Sequence, residues 1–120
     1  MSETSRRVAA AVAAVAVLVA PTLVWAWGAI SVSDNGRRTG AAFGHETEHA
    51  ARREAAAECG GCDFVVTFEE GCAAYAHDPV GGWGWSQGDD LDAAEAAATK
   101  SCHERGGLQC RIRVWACDGR

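Results

Sequence analysis

The feature that most constrains this chain is a repetition that carries all of its cysteines. "HAARREAAAEC" (His49 to Cys59) aligns without a gap on "DAAEAAATKSC" (Asp92 to Cys102), and "CDFVVTFEEGC" (Cys62 to Cys72) on "CRIRVWAC" (Cys110 to Cys117). The preceding segments follow, "WGAISVSD" against "CAAYAHD" and Ala42-Phe43-Gly44 over Gly82-Trp83-Gly84. Three cysteines then stand in the same order in each unit: Cys59, Cys62, Cys72 and Cys102, Cys110, Cys117. An internal repeat fixes architecture before any residue-level reading, and here it predicts two units, about 27–71 and 72–120.

Within a unit the elements follow from pattern. "GAISVS" and "CAAYAHD" read as short strands, and the Gly-rich "TGAAFG" and "VGGWGWS" as second strands that bend or bulge. Thr47 and Asp90 precede the alanine runs, where a side-chain oxygen caps a helix, and "ECGG" and "HERGG" end those helices. Ala51, Ala55 and Cys59, like Ala94, Ala98 and Cys102, recur every four residues, giving each helix a small-residue stripe able to approach a sheet closely. "CDFVVTF" and "CRIRVWAC" alternate as strands do. The expected fold is α+β: a β-β-α-β unit twice over, an antiparallel-rich sheet, and both helices on one side of it.

Six cysteines allow fifteen pairings. The duplication narrows them, because the first two cysteines of each unit join a helix end to the next strand. Cys59–Cys62 and Cys102–Cys110 follow, leaving Cys72–Cys117 to staple unit to unit.

Disulfides belong to oxidising compartments, and the N-terminus agrees. Arg6 and Arg7 precede an uncharged run from Val8 to Val24, and Val24-Trp25-Ala26 supplies the small residues of a cleavage site. Residues 1–26 read as a signal peptide. Ser5-Arg6-Arg7 leaves a twin-arginine signal open, and the length of the run leaves an uncleaved anchor open. The exported part carries Cys59, Cys62, Cys72, Cys102, Cys110 and Cys117. The whole chain has a formal net charge of −5, which argues against nucleic acid and anionic membrane as partners, since both want basic surface. Membrane contact is expected only through an uncleaved N-terminus.

"WGAISVS", an aromatic-Gly pair, an Ala-rich helix ending in cysteine, "CDFVVTF" and "CAAYA" together resemble the bacterial secreted domain-of-unknown-function 4189 family, in its duplicated form. The resemblance covers the whole exported part. Phe43 stands where the family expects Trp before Gly44, and about three extra residues lie near Ser86-Gln87-Gly88. The resemblance implies an exported small disulfide-bonded domain and assigns no catalytic residue.

Three short patterns bear on chemistry. "HETEH" (His45 to His49) matches H-E-x-x-H, which in a zinc protease puts two histidines on one helical face with Glu46 as base. A helix beginning at Thr47 leaves His45 outside it, so the expectation is no metal site; the alternative is a zinc-dependent hydrolase at His45 and His49, with Glu69, Glu70 or His77 as third ligand. Cys59-Gly60-Gly61-Cys62 could exchange thiols, but such a centre needs its reactive cysteine at a helix N-terminus, where the dipole favours thiolate. Cys59 closes a helix beside Glu58, which favours a structural bridge. Trp83 and Trp85, two apart on a strand, share a face and are either core or an exposed binding platform. The expected function is a non-catalytic secreted binding or effector module with no cofactor, meeting a protein or the cell envelope.

Overall fold

The computed structural model describes residues 26–118. The signal-peptide reading falls outside the described residues, apart from Ala26. Strands β1 (Trp27–Val32) and β2 (Thr39–His45) lead into helix α1 (Glu48–Glu58) and strand β3 (Phe64–Glu69); β4 (Cys72–His77) and β5 (Trp83–Gly88) lead into α2 (Leu91–Glu104) and β6 (Arg111–Cys117). The order β-β-α-β thus occurs twice. Both helices start where expected. The Thr47 hydroxyl accepts the Ala50 N–H at 3.1 Å, and the Asp90 carboxylate accepts the Ala93 N–H at 2.8 Å.

The class is α+β and all pairing is antiparallel, but the strands divide between two sheets of three, ordered β2-β1-β3 and β5-β4-β6. A single sheet with both helices on one side would leave one face of small strands bare. Instead the two sheets bury their inner faces on each other. Ile30, Val32, Phe68, Ala73, Tyr75, Val114 and Ala116 form that central core. Each helix covers the outer face of its own sheet: Ala51 and Ala55 meet Ala29 and Ala42, while Ala94, Ala98 and Cys102 meet Ala74 and Ala76. The result is four layers, helix-sheet-sheet-helix.

Alanine stripes alone do not bring a helix this close. A Cβ on Gly40 would lie 2.2 Å from the Ala55 carbonyl oxygen, and one on Gly84 would lie 2.5 Å from the Cys102 nitrogen. Gly40 and Gly84 are therefore the matching positions, opposite Ser31 and Ala76 in their respective ladders. This corrects the alignment that set Gly44 over Gly84. Thr39, not Phe43, stands where the second half has Trp83. The first half has one residue more between the matched glycine and its helix cap, at the β2 bulge facing Trp27–Ala29, so the extra residues expected in the second half near Ser86-Gln87-Gly88 are absent. β5 pairs with β4 in unbroken register, and the second half's irregularity lies in β6 beside Tyr75 and Ala76.

All three disulfides form as paired from sequence. The role of one is corrected. Cys72 opens β4 and faces Cys117 directly across the β4–β6 ladder, Cα to Cα 3.9 Å. The bridge closes the second sheet on itself and does not staple unit to unit. Its counterpart in the first sheet is uncrosslinked, with Trp27 facing Glu69.

Asp78, at the tip of the β4–β5 hairpin, fastens that hairpin to the α2–β6 loop. Its carboxylate accepts the Leu108 and Gln109 N–H groups at 2.8 and 2.9 Å and the Val80 N–H at 2.9 Å. Those bonds, Gln109's first, hold its pKa below the usual carboxylate value. A carboxyl depressed by folding adds stability above its unfolded pKa and loses it as pH falls through the folded one. Acidification below about pH 4 is accordingly expected to lower the melting temperature of the native protein more than that of Asp78→Ala. Parallel melting curves from pH 6 to 2.5 would count against the role.

Candidate functional site

The three patterns singled out in the sequence end in different places. His45 is the last residue of β2 and pairs with Trp27, whereas His49 lies in the first turn of α1. Gly44, in a left-handed conformation at φ 69°, turns the strand just before His45. The two histidines share no helical face. The His45 Nε2 meets the Glu54 carboxylate on α1 instead. Glu69 lies on the far side of Trp27 from His45, and His77 at the opposite end of the sheets. Among the described residues no group of three or more His, Cys, Asp or Glu stands close enough to hold a metal ion.

Cys59 is the C-cap of α1 and is bridged to Cys62, both buried. The Arg38 guanidinium donates to the Cys59 and Gly60 carbonyls, both at 3.3 Å, so a cation closes the negative end of the helix. The bridge sits at a sealed helix terminus, the electrostatic opposite of a thiolate-stabilising site.

Trp83 and Trp85 do share one face of β5, and it is the inner face. Trp85 packs against the central core. Trp83, at the end of the strand, remains 36% exposed. It belongs to a cluster that includes residues the sequence reading passed over. The Phe64 ring meets Trp83 edge-on at 5.7 Å, Tyr75 lies nearly parallel to Trp83 at 6.2 Å, and His77 nearly parallel to Tyr75 at 6.3 Å. The Arg105 guanidinium, from the cap of α2, lies 3.9 Å from the centre of a Trp83 ring. The period of two in "CAAYAH" already put Tyr75 and His77 on one face. What was missing was Phe64, which arrives from the other sheet, and Arg105, which arrives from a helix end.

A cleft of about 200 Å³ opens among Val32, Phe64, Tyr75, His77 and Trp83, with Ser33 and Asp34 at its mouth. Tyr75 is only 6% exposed, yet its hydroxyl has no hydrogen-bond partner among the described residues and is not sealed from solvent. Burial pushes the phenol pKa up, so it stays protonated and can donate. Asp34 and His77 are shared with a neighbouring open groove lined by Asn35, Gly36, Arg37, Pro79 and Arg113. The arrangement can hold one apolar or aromatic group beside a basic rim. It offers no nucleophile paired with a base.

A disulfide-locked α+β domain of two facing three-stranded sheets is the class these features define. The chain belongs to the family described as domain of unknown function DUF4189, whose profile matches residues 27–117. Among solved structures it is similar to the NMR structure of Rv1813c from Mycobacterium tuberculosis, with a TM-score of 0.61 and 28% sequence identity over 82% of this chain and 80% of that one. No curated protein matches it.

Proposed function

We propose that this protein is an exported, non-catalytic binding module whose contact surface is the aromatic end of the sandwich around Trp83. The observation that carries the reading is the Trp83 indole, partly exposed beside a nearly buried tyrosine with a free hydroxyl. Large aromatic groups in such positions dominate protein interfaces. Three buried or half-buried disulfides support folding in an oxidising compartment. No described helix is long and apolar enough to cross a membrane. The twofold element order and the matching glycines, Gly40 and Gly84, support descent of the two halves from one duplicated unit.

The test is recovery of partners from culture medium and cell envelope with oxidised protein as bait. Trp83→Ala is expected to lose at least tenfold of the specific capture, the usual order for an aromatic anchor, while its melting temperature stays close to native because the indole is partly exposed. Undiminished capture by Trp83→Ala would move the contact surface elsewhere.

A further inference from the structure

The two halves of the fold serve as controls for each other. Some positions that match in the two ladders carry like residues, Ala29 and Ala74 or Gly40 and Gly84, and others do not, as with Phe68 and Ala116 or Trp27 and Cys72. At the aromatic end the differences fall together in space. Tyr75 corresponds to Ile30, His77 to Val32, Trp83 to Thr39 and Phe64 to Arg111. Three of these aromatic or imidazole groups stand in the second half where the first has Ile30, Val32 and Thr39, and the fourth, Phe64, comes from the first half, so the cluster forms only where the two sheets meet.

A second departure lies beside the first. In β6 an extra residue, Arg113, stands between Ile112 and Val114, which face Ala76 and Tyr75, whereas β3 runs along β1 in unbroken register. A bulge re-aims a side chain, and these occur next to functional sites. Arg113 here lines the groove next to the aromatic cleft, with Arg37 and His77. The linings of groove and cleft thus carry Arg37 and Arg113 against Asp34, with Arg105 nearby over Trp83 and the Asp78 carboxylate held by backbone N–H groups. On a chain with a net charge of −5, that is a local reversal of sign. The opposite end of the sandwich is acidic, a groove lined by Glu69, Glu70, Asp89 and Asp118.

From this we infer that the site binds an acidic segment of a partner protein that inserts one large apolar side chain into the Phe64–Tyr75–Trp83 cleft and lays its carboxylates along Arg37 and Arg113. The inference rests on the binding-module reading above. A cleft of about 200 Å³ takes one side chain and is smaller than the pockets that enclose drug-sized ligands, roughly 300 Å³ upwards. The Tyr75 hydroxyl can donate to a backbone carbonyl of the segment. Sugar stacking is disfavoured because Arg105 already covers the Trp83 ring. A second copy offers an acidic end but no large apolar side chain among the residues lining its groove.

The experiment uses fluorescein-labelled five-residue peptides with the full oxidised protein: a central phenylalanine flanked by glutamates, a central alanine flanked by glutamates, and a central phenylalanine flanked by lysines. Only the first should bind, with an affinity that falls as salt rises from 50 to 300 mM. Trp83→Ala and Arg113→Glu should each weaken it at least tenfold, the order of a single hot-spot loss. Arg113 is an exposed strand residue, so its variant tests the basic rim without touching the aromatic cluster. Equal binding of the alanine peptide, preference for the lysine peptide, or binding only to vesicles of phosphatidylglycerol would overturn the inference. So would self-association in sedimentation that Arg113→Glu abolishes. If no peptide binds while Trp83-dependent capture persists, the acidic-segment inference fails and the binding-module reading stands; loss of both removes both.

Discussion

Replacing Cys72 and Cys117 together by serine is expected to remove about 4 kcal/mol of stability, from the chain entropy of a loop of 45 residues. A domain of this size has roughly 5–15 kcal/mol in all. The loss also falls where the fold depends on it. β4 is the central strand of the second sheet and β6 its edge, and the bridge ties the start of one to the end of the other. Without it, β6 is held to β4 by its ladder and by the Val114 and Ala116 contacts in the core. Serine at Cys59 and Cys62 opens a loop of sequence separation 3, worth about 1.6 kcal/mol in the same formula. Protease resistance of the oxidised protein and the urea midpoint should both separate the two double variants, the first failing and the second surviving. Equal losses would show that the long bridge has no special share in holding the second sheet.

The second large effect is expected from Phe68→Ala, a destabilisation of about 3–5 kcal/mol. Phe68 is 2% exposed, the largest side chain to be so fully enclosed. It pairs with Gly28 across the β1–β3 ladder, and a Cβ on that glycine would lie 2.3 Å from the Phe68 ring. The ring thus lies over a residue that has no side chain of its own, and it fills space between the sheets that alanine-rich strands cannot. Most inward residues near it are small or β-branched, so the cavity left by truncation has few groups able to collapse into it. Phe43→Ala is the control. Phe43 is 63% exposed on β2, and its loss should stay within about 0.5 kcal/mol. Urea denaturation with unchanged m-values would measure both; a Phe68→Ala loss below 1 kcal/mol would mean that the sheets close over the gap.

Several elements of this fold were legible locally. The helix starts at Thr47 and Asp90, the glycine stops, the strand alternation of Cys62–Phe68 and the three cysteine pairs depend on neighbours within a few residues, or on a repeat visible by alignment. Rejection of the H-E-x-x-H pattern as a helical pair was legible for the same reason, since it turned on where α1 begins. The aromatic site was half legible. Trp83 drew notice as a strand tryptophan, whereas Tyr75 did not, although the alternation of "CAAYAH" sets it on one face with His77. Phe64 could not be assigned, because nothing in "CDFVVTF" says which strand of which sheet its inner face will meet. Arg113 was hidden by a bulge, which one added residue creates and no residue type announces.

By itself the amino-acid order determined the class of the protein: short strands, two alanine-striped helices, a β-β-α-β order that occurs twice, and the sulfur bridges. Those properties are set by periodicity and by short loops, which act within a unit. Only the tertiary structure decided that the strands split into two facing sheets, that Cys72–Cys117 closes one sheet on itself, and that aromatic and basic groups converge at one end. The physical reason is that each unit has two apolar sheet faces and a single helix to cover one of them. The uncovered face must find another surface, and the other unit's face is the one to hand.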